Sequence, residues 1–241
     1  MSSPPPPPAP APSCPPPAPP PYAPRRADCP WCGSRRLRPR PAGRPALVTC
    51  RDCRHAFRNP PGPDRPAGPL TRTVTGLRHL LAARALLRHC PEPESWLDVD
   101  TGDARFPRAA RRYFPYTSFD GLDPTGRVLR ARAAEHLEEA YVGRLTDPRL
   151  AARLRARYDV VSVLRPDRAP DPRAELRAAL GVLRPGGLLL VDLAGPRALP
   201  PHPPADRLRA ALRQAGCVPL TPAGARRVIA RAPAQPRSTS A

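Results

Sequence analysis

The stretch YDVVSVLRPDRAPDPRAELRAALGVLRPGGLLLVDL, residues 158–193, carries strand, helix and strand signals in succession. YDVVSVL is rich in β-branched residues, which favour a strand. DPRAELRAALGVL has apolar residues at helical spacing, and we expect Asp171 as its N-cap and Pro172 in its first turn. In the RPGG that follows, glycine suits a left-handed helix cap. GLLLVDL is almost continuously apolar, as expected of a strand buried on both faces.

The same alternation of strand and helix extends to both sides of this stretch. Strands are predicted at WLDVD, YTSFDGLD, EEAYVGRL, CVPL and RRVIARA. Helices are predicted at TRTVTGLRHLLAARALLRHC, ARFPRAARRYF, GRVLRARAAEHL, PRLAARLRAR and PADRLRAALRQAG. Thr71 or Thr73 is the expected N-cap of the first of these helices, Asp147 precedes the fourth, and Gly216 ends the last. Together these signals predict an α/β domain over residues 71–231, with a seven-stranded, mostly parallel sheet and helices on both faces.

Composition divides the rest of the chain. The 241 residues include 42 prolines and 15 glycines, too many for one compact fold. We expect residues 1–24 to be a disordered proline-rich tail in which Cys14 has no role. Residues 61–70 read as a linker, and residues 232–241 as a second disordered tail.

The net charge is +20, and all 40 basic residues are arginine. Residues 1–90 contain 15 arginines and 3 acids, a basic balance that suits nucleic-acid phosphates or an anionic surface or, alternatively, a solvated arginine surface. Few aromatic residues lie between the arginines, which argues against a base-stacking platform. No stretch approaches the roughly 18 apolar residues of a membrane span, and no signal peptide is visible. We therefore expect a cytoplasmic protein with no membrane partner.

Four cysteines form two CxxC pairs, Cys29 and Cys32 in CPWC and Cys50 and Cys53 in CRDC. Their spacing matches a zinc site, and four thiolates close a tetrahedron, so the metal would be structural. A reducing cytoplasm also favours metal over disulfide. We predict a zinc-ribbon-like unit over residues 25–60 with a short hairpin between the pairs. The alternatives are unmetallated pairs, a redox pair, or His55 replacing Cys53 as a ligand.

Residues 75–231 resemble class I S-adenosylmethionine-dependent methyltransferases. The most specific match is residues 158–193, which correspond to the fourth strand, the next helix and the L-x-P-G-G turn into the fifth strand. GLDPT, residues 121–125, matches the end of the second strand. CPWCGS and CRDCRHAFRNP resemble cysteine-rich N-terminal segments of some bacterial methyltransferases. The resemblance implies a Rossmann-like fold with S-adenosyl-L-methionine as cofactor.

The cofactor loop of that family has the pattern D-x-G-x-G-x-G, and here it reads Asp98-Val-Asp100-Thr-Gly102-Asp-Ala104. Glycines in such a loop allow a close backbone approach and a positive φ. Gly102 keeps the middle glycine. Asp100 replaces the first glycine, but aspartate tolerates left-handed φ better than most residues. Its carboxylate can also face the ammonium or sulfonium group of the cofactor.

The resemblance assigns further acids to cofactor binding. Asp123 ends the second strand, where a carboxylate accepts both ribose hydroxyls; Asp120 is the nearby alternative. Asp147, after the third strand, is a candidate for the adenine amino group. For each acid the alternative role is a helix N-cap or a solvated loop carboxylate.

The sequence leaves three functions open. The first is methyl transfer to a small-molecule acceptor, the second is RNA base methylation, and the third is a non-catalytic binding or scaffold role. Arg165 and Asp167 follow the fourth strand, where cofactor- or substrate-facing groups are expected. His136 and His202 are expected at the surface, and the sequence identifies no general base.

Overall fold

The computed structural model describes residues 25–39, 47–60, 69–166, 169–193 and 205–234. The expectations for residues 1–24, for most of the linker, for residues 235–241 of the second tail, and for Cys14, Asp167 and His202 fall outside these ranges. The start of the predicted second tail is described: Ala232 is buried, and its backbone N–H donates to the carbonyl oxygen of Gly187 at 2.8 Å, so this residue packs with the folded domain. No helix in the described ranges is long and apolar enough to cross a membrane.

Helices and strands alternate along the described part of the chain. The helices are α1 (Pro69–Leu86), α2 (Arg105–Ala110), α3 (Arg127–Ala133), α4 (Pro148–Arg153), α5 (Pro172–Val182) and α6 (Ala205–Gln214). The strands are β1 (Leu37–Pro39), β2 (Leu47–Cys50), β3 (Ala56–Arg58), β4 (Ser95–Val99), β5 (Ser118–Asp123), β6 (Ala140–Val142), β7 (Tyr158–Val163), β8 (Leu183–Asp192), β9 (Val218–Pro219) and β10 (Arg227–Arg231).

The larger sheet has seven strands in the order β6-β5-β4-β7-β8-β10-β9. The strands from β6 to β8 are parallel, β10 is antiparallel to β8, and β9 is antiparallel to β10. Strand order reverses at β4, which lies between β5 and β7. The predicted Rossmann-like, mostly parallel sheet with helices on both faces is confirmed. In such a sheet the ligand site lies beyond the carboxyl ends of the strands at the reversal point.

Side chains alternate between two apolar layers, one on each face of the sheet, because successive strand residues point to opposite sides. In β4, Leu97 and Val99 belong to one layer, and Trp96 belongs to the other. The Trp96 layer contains residues of α1, α2 and α3, and the Leu97 layer contains residues of α5 and α6. Both faces of β4 are therefore buried, which fits its apolar residues Trp96, Leu97 and Val99.

The cysteine unit is an antiparallel sheet of β1, β2 and β3 that continues the Leu97 layer. Trp31 and Phe57 are buried in that layer together with Leu208 and Leu212 of α6. The Arg26 guanidinium also donates a hydrogen bond of 2.5 Å to the carbonyl oxygen of Pro170, just before α5. The unit and the larger sheet thus share one apolar core.

Several local predictions hold and three need correction. Asp171 caps α5 by accepting hydrogen bonds from two backbone N–H groups, and Gly216 ends α6 with φ of 82°. The predicted caps Thr71 and Thr73 are wrong, because α1 begins at Pro69, inside the predicted linker. The cysteine unit also has a third strand, β3, where only a hairpin was predicted.

The predicted left-handed cap at RPGG is also wrong. Helix α5 ends at Val182 and β8 begins at the next residue, so RPGG lies inside the strand. The pairing of β7 with β8 is irregular there, and Gly186 has φ of 77°. A Cβ on Gly187 would lie 3.0 Å from the carbonyl oxygens of Arg184 and Asp159, so glycine serves the irregular strand rather than the helix end.

Gly121 of β5 permits the close packing beneath α3. A Cβ there would lie 2.5 Å from Leu137 Cδ1 and 2.8 Å from Thr101 Cγ2. We expect Gly121→Ala to lower the free energy of unfolding by about 1–3 kcal/mol, because a packed core resists an added methyl group. Chemical denaturation measures the change. Gly126→Ala is the control, since nothing lies within 4 Å of a Cβ at that exposed position. Equal stabilities of the two variants would contradict the prediction.

Candidate functional site

The loop after β4 turns through three left-handed residues at alternate positions. Asp100, Gly102 and Ala104 have φ of 57°, 55° and 54°. These are the three positions at which the D-x-G-x-G-x-G pattern places glycine. An L-residue in this conformation costs about 1–2 kcal/mol, yet aspartate and alanine adopt it here. The loop therefore has a left-handed backbone at all three positions, although only one of them is glycine.

Asp123 joins this loop to the end of β5. The backbone N–H of Gly102 donates to Asp123 Oδ2 at 2.9 Å. The backbone N–H of Thr125 donates to Oδ1 at 2.9 Å, and the Thr125 hydroxyl donates to the same oxygen. Arg127 Nη2 lies 4.0 Å from Oδ2, and Asp123 is only 1% exposed. Asp123 thus fixes the carboxyl ends of β4 and β5 relative to each other.

Asp98 lies within β4, two residues before Asp100, in a buried chain of hydrogen bonds between β4 and β7. The indole N–H of Trp96 donates to Ser162 Oγ at 3.0 Å, and the Ser162 hydroxyl donates to Asp98 Oδ1 at 2.6 Å. Burial raises the pKa of Asp98 to about 7, although the bond from Ser162 partly opposes the rise. Because Asp98 and Ser162 are directly paired across parallel strands, this carboxyl group is held in a fixed position.

Asp100 is half-buried at the rim of the same loop. Burial raises its pKa to about 6, the charge of Arg144 opposes this rise, and the charges of Asp123 and Glu175 reinforce it. The Asp100 carboxyl group is therefore ionised above about pH 6 and places a negative charge at the loop. This charge suits a cationic ligand.

Glu175 was missed by sequence reasoning. It lies on α5, is 4% exposed, and accepts the backbone N–H of Leu145 at 3.3 Å through Oε1. Oε2 is buried and has no hydrogen-bond partner among the described residues, and burial raises the pKa of this carboxyl group. Its spacing from Ala179 and Val182 does place it on the apolar face of α5, and an acid on such a face is the signal that would have found it.

The other candidate residues lie apart from this cluster. Asp147 is exposed and caps α4, where its Oδ1 accepts the backbone N–H of Arg149 at 2.9 Å. Asp120 is buried and accepts the Tyr158 hydroxyl at 2.7 Å, as part of the contact between β5 and β7. His136 is half-buried just after α3, so it is less exposed than expected. The structure thus brings together four of the predicted cofactor residues, Asp98, Asp100, Gly102 and Asp123.

The four cysteines Cys29, Cys32, Cys50 and Cys53 form one cluster in which all Sγ atoms lie within 4.8 Å of one another. The Cys29–Cys53 and Cys32–Cys50 sulfur distances are 3.5 and 3.6 Å. Zinc bonds of about 2.3 Å in a tetrahedron place sulfurs about 3.8 Å apart, so the cluster fits such an ion. His55 Nδ1 lies 3.7 Å from Cys29 Sγ, within hydrogen-bonding distance of that sulfur.

Among known proteins, solved structures share this fold. The sequence matches no protein-family model. It matches no curated protein either. Among solved structures, it resembles Burkholderia thailandensis 1,6-didemethyltoxoflavin-N1-methyltransferase with bound 1,6-didemethyltoxoflavin and S-adenosylhomocysteine, with a TM-score of 0.52 and 14% identity over 81% of this chain and 99% of that one.

Two further solved structures are similar. For CalS10 with bound S-adenosylmethionine, an amino pentose methyltransferase from Micromonospora echinaspora, the TM-score is 0.50 at 14% identity over 71% of this chain and 99% of that one. For an O-methyltransferase family protein from Burkholderia thailandensis the values are 0.50 and 14%, over 69% of this chain and 58% of that one. The chain has the fold of class I S-adenosylmethionine-dependent methyltransferases.

The raised pKa of Asp98 predicts a stability that depends on pH. The unfolded carboxyl group titrates near pH 3.8 and the folded one near 7, so the folded state binds the extra proton between these values. Its contribution to stability is therefore present below pH 3.8 and is lost as the pH rises through 7. Asparagine removes this titration. We expect the melting temperature of Asp98→Asn, relative to the unchanged chain, to rise between pH 5 and about pH 8. A constant difference across that range would contradict the raised pKa.

Proposed function

We propose that the chain binds S-adenosyl-L-methionine at the loop of residues 98–104 and transfers its methyl group to a small molecule. The observation that carries the proposal is the left-handed backbone at all three glycine positions of the loop, with Gly102 bonded to Asp123. The altered residues therefore do not prevent a glycine-type cradle. The methyltransferase fold, and neighbours whose structures hold S-adenosylhomocysteine or S-adenosylmethionine, support the same reading.

Each residue of the cluster has a role that follows from its chemistry. Gly102 has no side chain, so it allows the methionine part of the cofactor to approach the backbone. Asp123 lies at a strand end, where a carboxylate can accept ribose hydroxyls. Asp100, which is ionised above about pH 6, would provide negative potential for the ammonium or sulfonium group, and Asp98 would add to it above about pH 7. Asp147 stays a candidate for the adenine amino group through its second oxygen.

Catalysis in this proposal is mainly positioning. When bound, the cofactor would supply an electrophilic methyl group, and the residues at the carboxyl ends of β4 and β5 would hold and orient it for the acceptor nucleophile. Methyl transfer from a bound cofactor to a bound acceptor would gain its rate from their orientation. The carboxyl ends of β4 and β5, which are joined by the Gly102–Asp123 hydrogen bond, would provide that orientation. Among the described acids, Glu175 is the one with an unbonded buried oxygen, so it is our candidate for contact with the acceptor or its proton.

Binding of the cofactor tests the proposal directly. We expect calorimetry to give a dissociation constant in the micromolar range for S-adenosylmethionine. Asp123→Ala and Gly102→Arg should each weaken binding by at least about tenfold, because the first removes charge-assisted hydrogen bonds and the second fills the cradle. Asp103→Ala is the control, since Asp103 is an exposed acid of the same loop. No binding up to millimolar concentrations would instead favour a non-catalytic scaffold.

RNA base methylation is the second candidate because arginines cover the cysteine unit. Arg35, Arg36, Arg38, Arg51 and Arg54 are all exposed there. Such a surface suits phosphates, and its contribution to RNA binding would fall steeply with salt. A loss of RNA affinity between low and physiological salt, together with methylation of RNA, would favour this function over small-molecule transfer.

We also propose that the four-cysteine cluster holds a structural zinc ion. The four cysteine sulfurs would fill all four coordination positions of the ion, which would leave no open position for substrate. The ion would fix the cysteine unit against the apolar core that it shares with α6.

Removal of one zinc ligand tests this part. Cys32 is exposed, so Cys32→Ser alters packing little, and any loss of stability reflects the metal. We expect the unchanged chain to contain one zinc per molecule by elemental analysis, and Cys32→Ser to lose the metal and melt at a lower temperature. Cys90→Ser, which lies outside the cluster, serves as the control. A purified chain without zinc, or a Cys32→Ser variant as stable as the control, would contradict a structural zinc site.

A further inference from the structure

Arg127, the first residue of α3, covers the candidate cofactor loop. Its Nη2 atom lies 4.0 Å from Asp123 Oδ2. Its guanidinium carbon and Nη2 lie 3.8 Å from the position that a Cβ on Gly102 would take. The guanidinium therefore lies beside Gly102 and beside the Asp123 carboxylate that accepts the backbone N–H of Gly102.

The carboxylate of Asp123 has little acceptor capacity left. Two carboxylate oxygens offer about four lone-pair sites. Oδ1 accepts the N–H and the hydroxyl of Thr125, and Oδ2 accepts the N–H of Gly102. The remaining site on Oδ2 faces the Arg127 guanidinium. A ribose with two vicinal hydroxyls needs acceptor positions that Arg127 and the Thr125 hydroxyl now hold.

These two side chains are able to release the carboxylate. The Arg127 side chain is 38% exposed, so its guanidinium can be solvated after it turns outward. Its Nε–H donates to Thr125 Oγ1 at 3.2 Å, so Arg127 also helps to orient the Thr125 hydroxyl toward the carboxylate. The ion pair with Asp123 is long and partly exposed, which makes it weak.

On the basis of the proposed function, we propose that Arg127 competes with the cofactor ribose for the Asp123 carboxylate. It thereby sets the affinity of the site and its preference between the two forms of the cofactor. S-adenosylmethionine carries one more positive charge than S-adenosylhomocysteine, because methyl transfer converts the sulfonium into a thioether. A guanidinium at the loop repels the charged form more strongly. Arg127 thus opposes binding of both forms and lowers the preference for the charged form.

Calorimetry with both ligands tests the inference. We expect Arg127→Gln to bind S-adenosylhomocysteine at least about threefold more tightly than the unchanged chain, with a larger gain for S-adenosylmethionine, whose charge is no longer repelled. Arg127→Lys keeps the charge, so the ratio of the two affinities should stay near that of the unchanged chain. Arg130→Gln, an exposed arginine of the same helix, is the matched control and should change neither affinity.

The outcomes separate this inference from the proposed function. If the unchanged chain binds both ligands and Arg127→Gln binds them equally or more weakly, the role of Arg127 is wrong and the proposed function stands. If neither the unchanged chain nor Arg127→Gln binds either ligand, and both melt cooperatively, the proposed function fails and this inference fails with it. Tighter binding by Arg130→Gln to the same extent would show a general charge effect and would also overturn the inference.

Discussion

The hydrogen bond from the Gly102 backbone to the Asp123 carboxylate is the constraint on which the candidate site depends. It joins the loop after β4 to the end of β5 at the point where strand order reverses. The loop must turn back toward β5 to make this bond, and it does so through three left-handed residues. The conformation survives the loss of two glycines because the contacts on either side hold it. A local cost of about 1–2 kcal/mol for alanine at such a position is small against the burial of a whole loop.

The candidate site brings acidic and basic side chains together at one edge of the sheet. The buried acids Asp98, Asp123 and Glu175 converge on one edge of the sheet with half-buried Asp100. Arginines at the same edge, Arg127 and Arg144 among them, offset part of this charge. The site therefore carries acidic and basic groups close together, and its net potential depends on where the arginine side chains lie.

The order of strands and helices could be predicted from the sequence because periodicity and capping agree along most of the domain. Asp171 and Gly216 are examples in which one residue determines a helix end. RPGG shows the limit, since the same glycines suit a helix cap or an irregular strand, and only pairing with β7 decides between them. The start of α1 was missed for a related reason, because the proline-rich sequence before Thr71 resembles a linker.

The acids of the candidate site were found where a family pattern fixed their positions. Glu175 was not found, because a single glutamate in an amphipathic helix is usually exposed. Arg127 was not found either, because it is one of 40 arginines and their abundance carries little information. The role of each residue becomes visible only from its tertiary contacts, which join Glu175 to Leu145 and Arg127 to Gly102.

The shared core of the cysteine unit and α6 has a consequence for dissecting the chain. Leu208 and Leu212 belong to the same apolar layer as Trp31 and Phe57, which come from a segment more than a hundred residues earlier. A fragment that starts at α1 would lack these two aromatic side chains and would expose part of the layer to water, which favours aggregation even with every strand of the large sheet present. The cysteine unit thus forms part of the hydrophobic core of the domain, and we expect a chain without it to be destabilised.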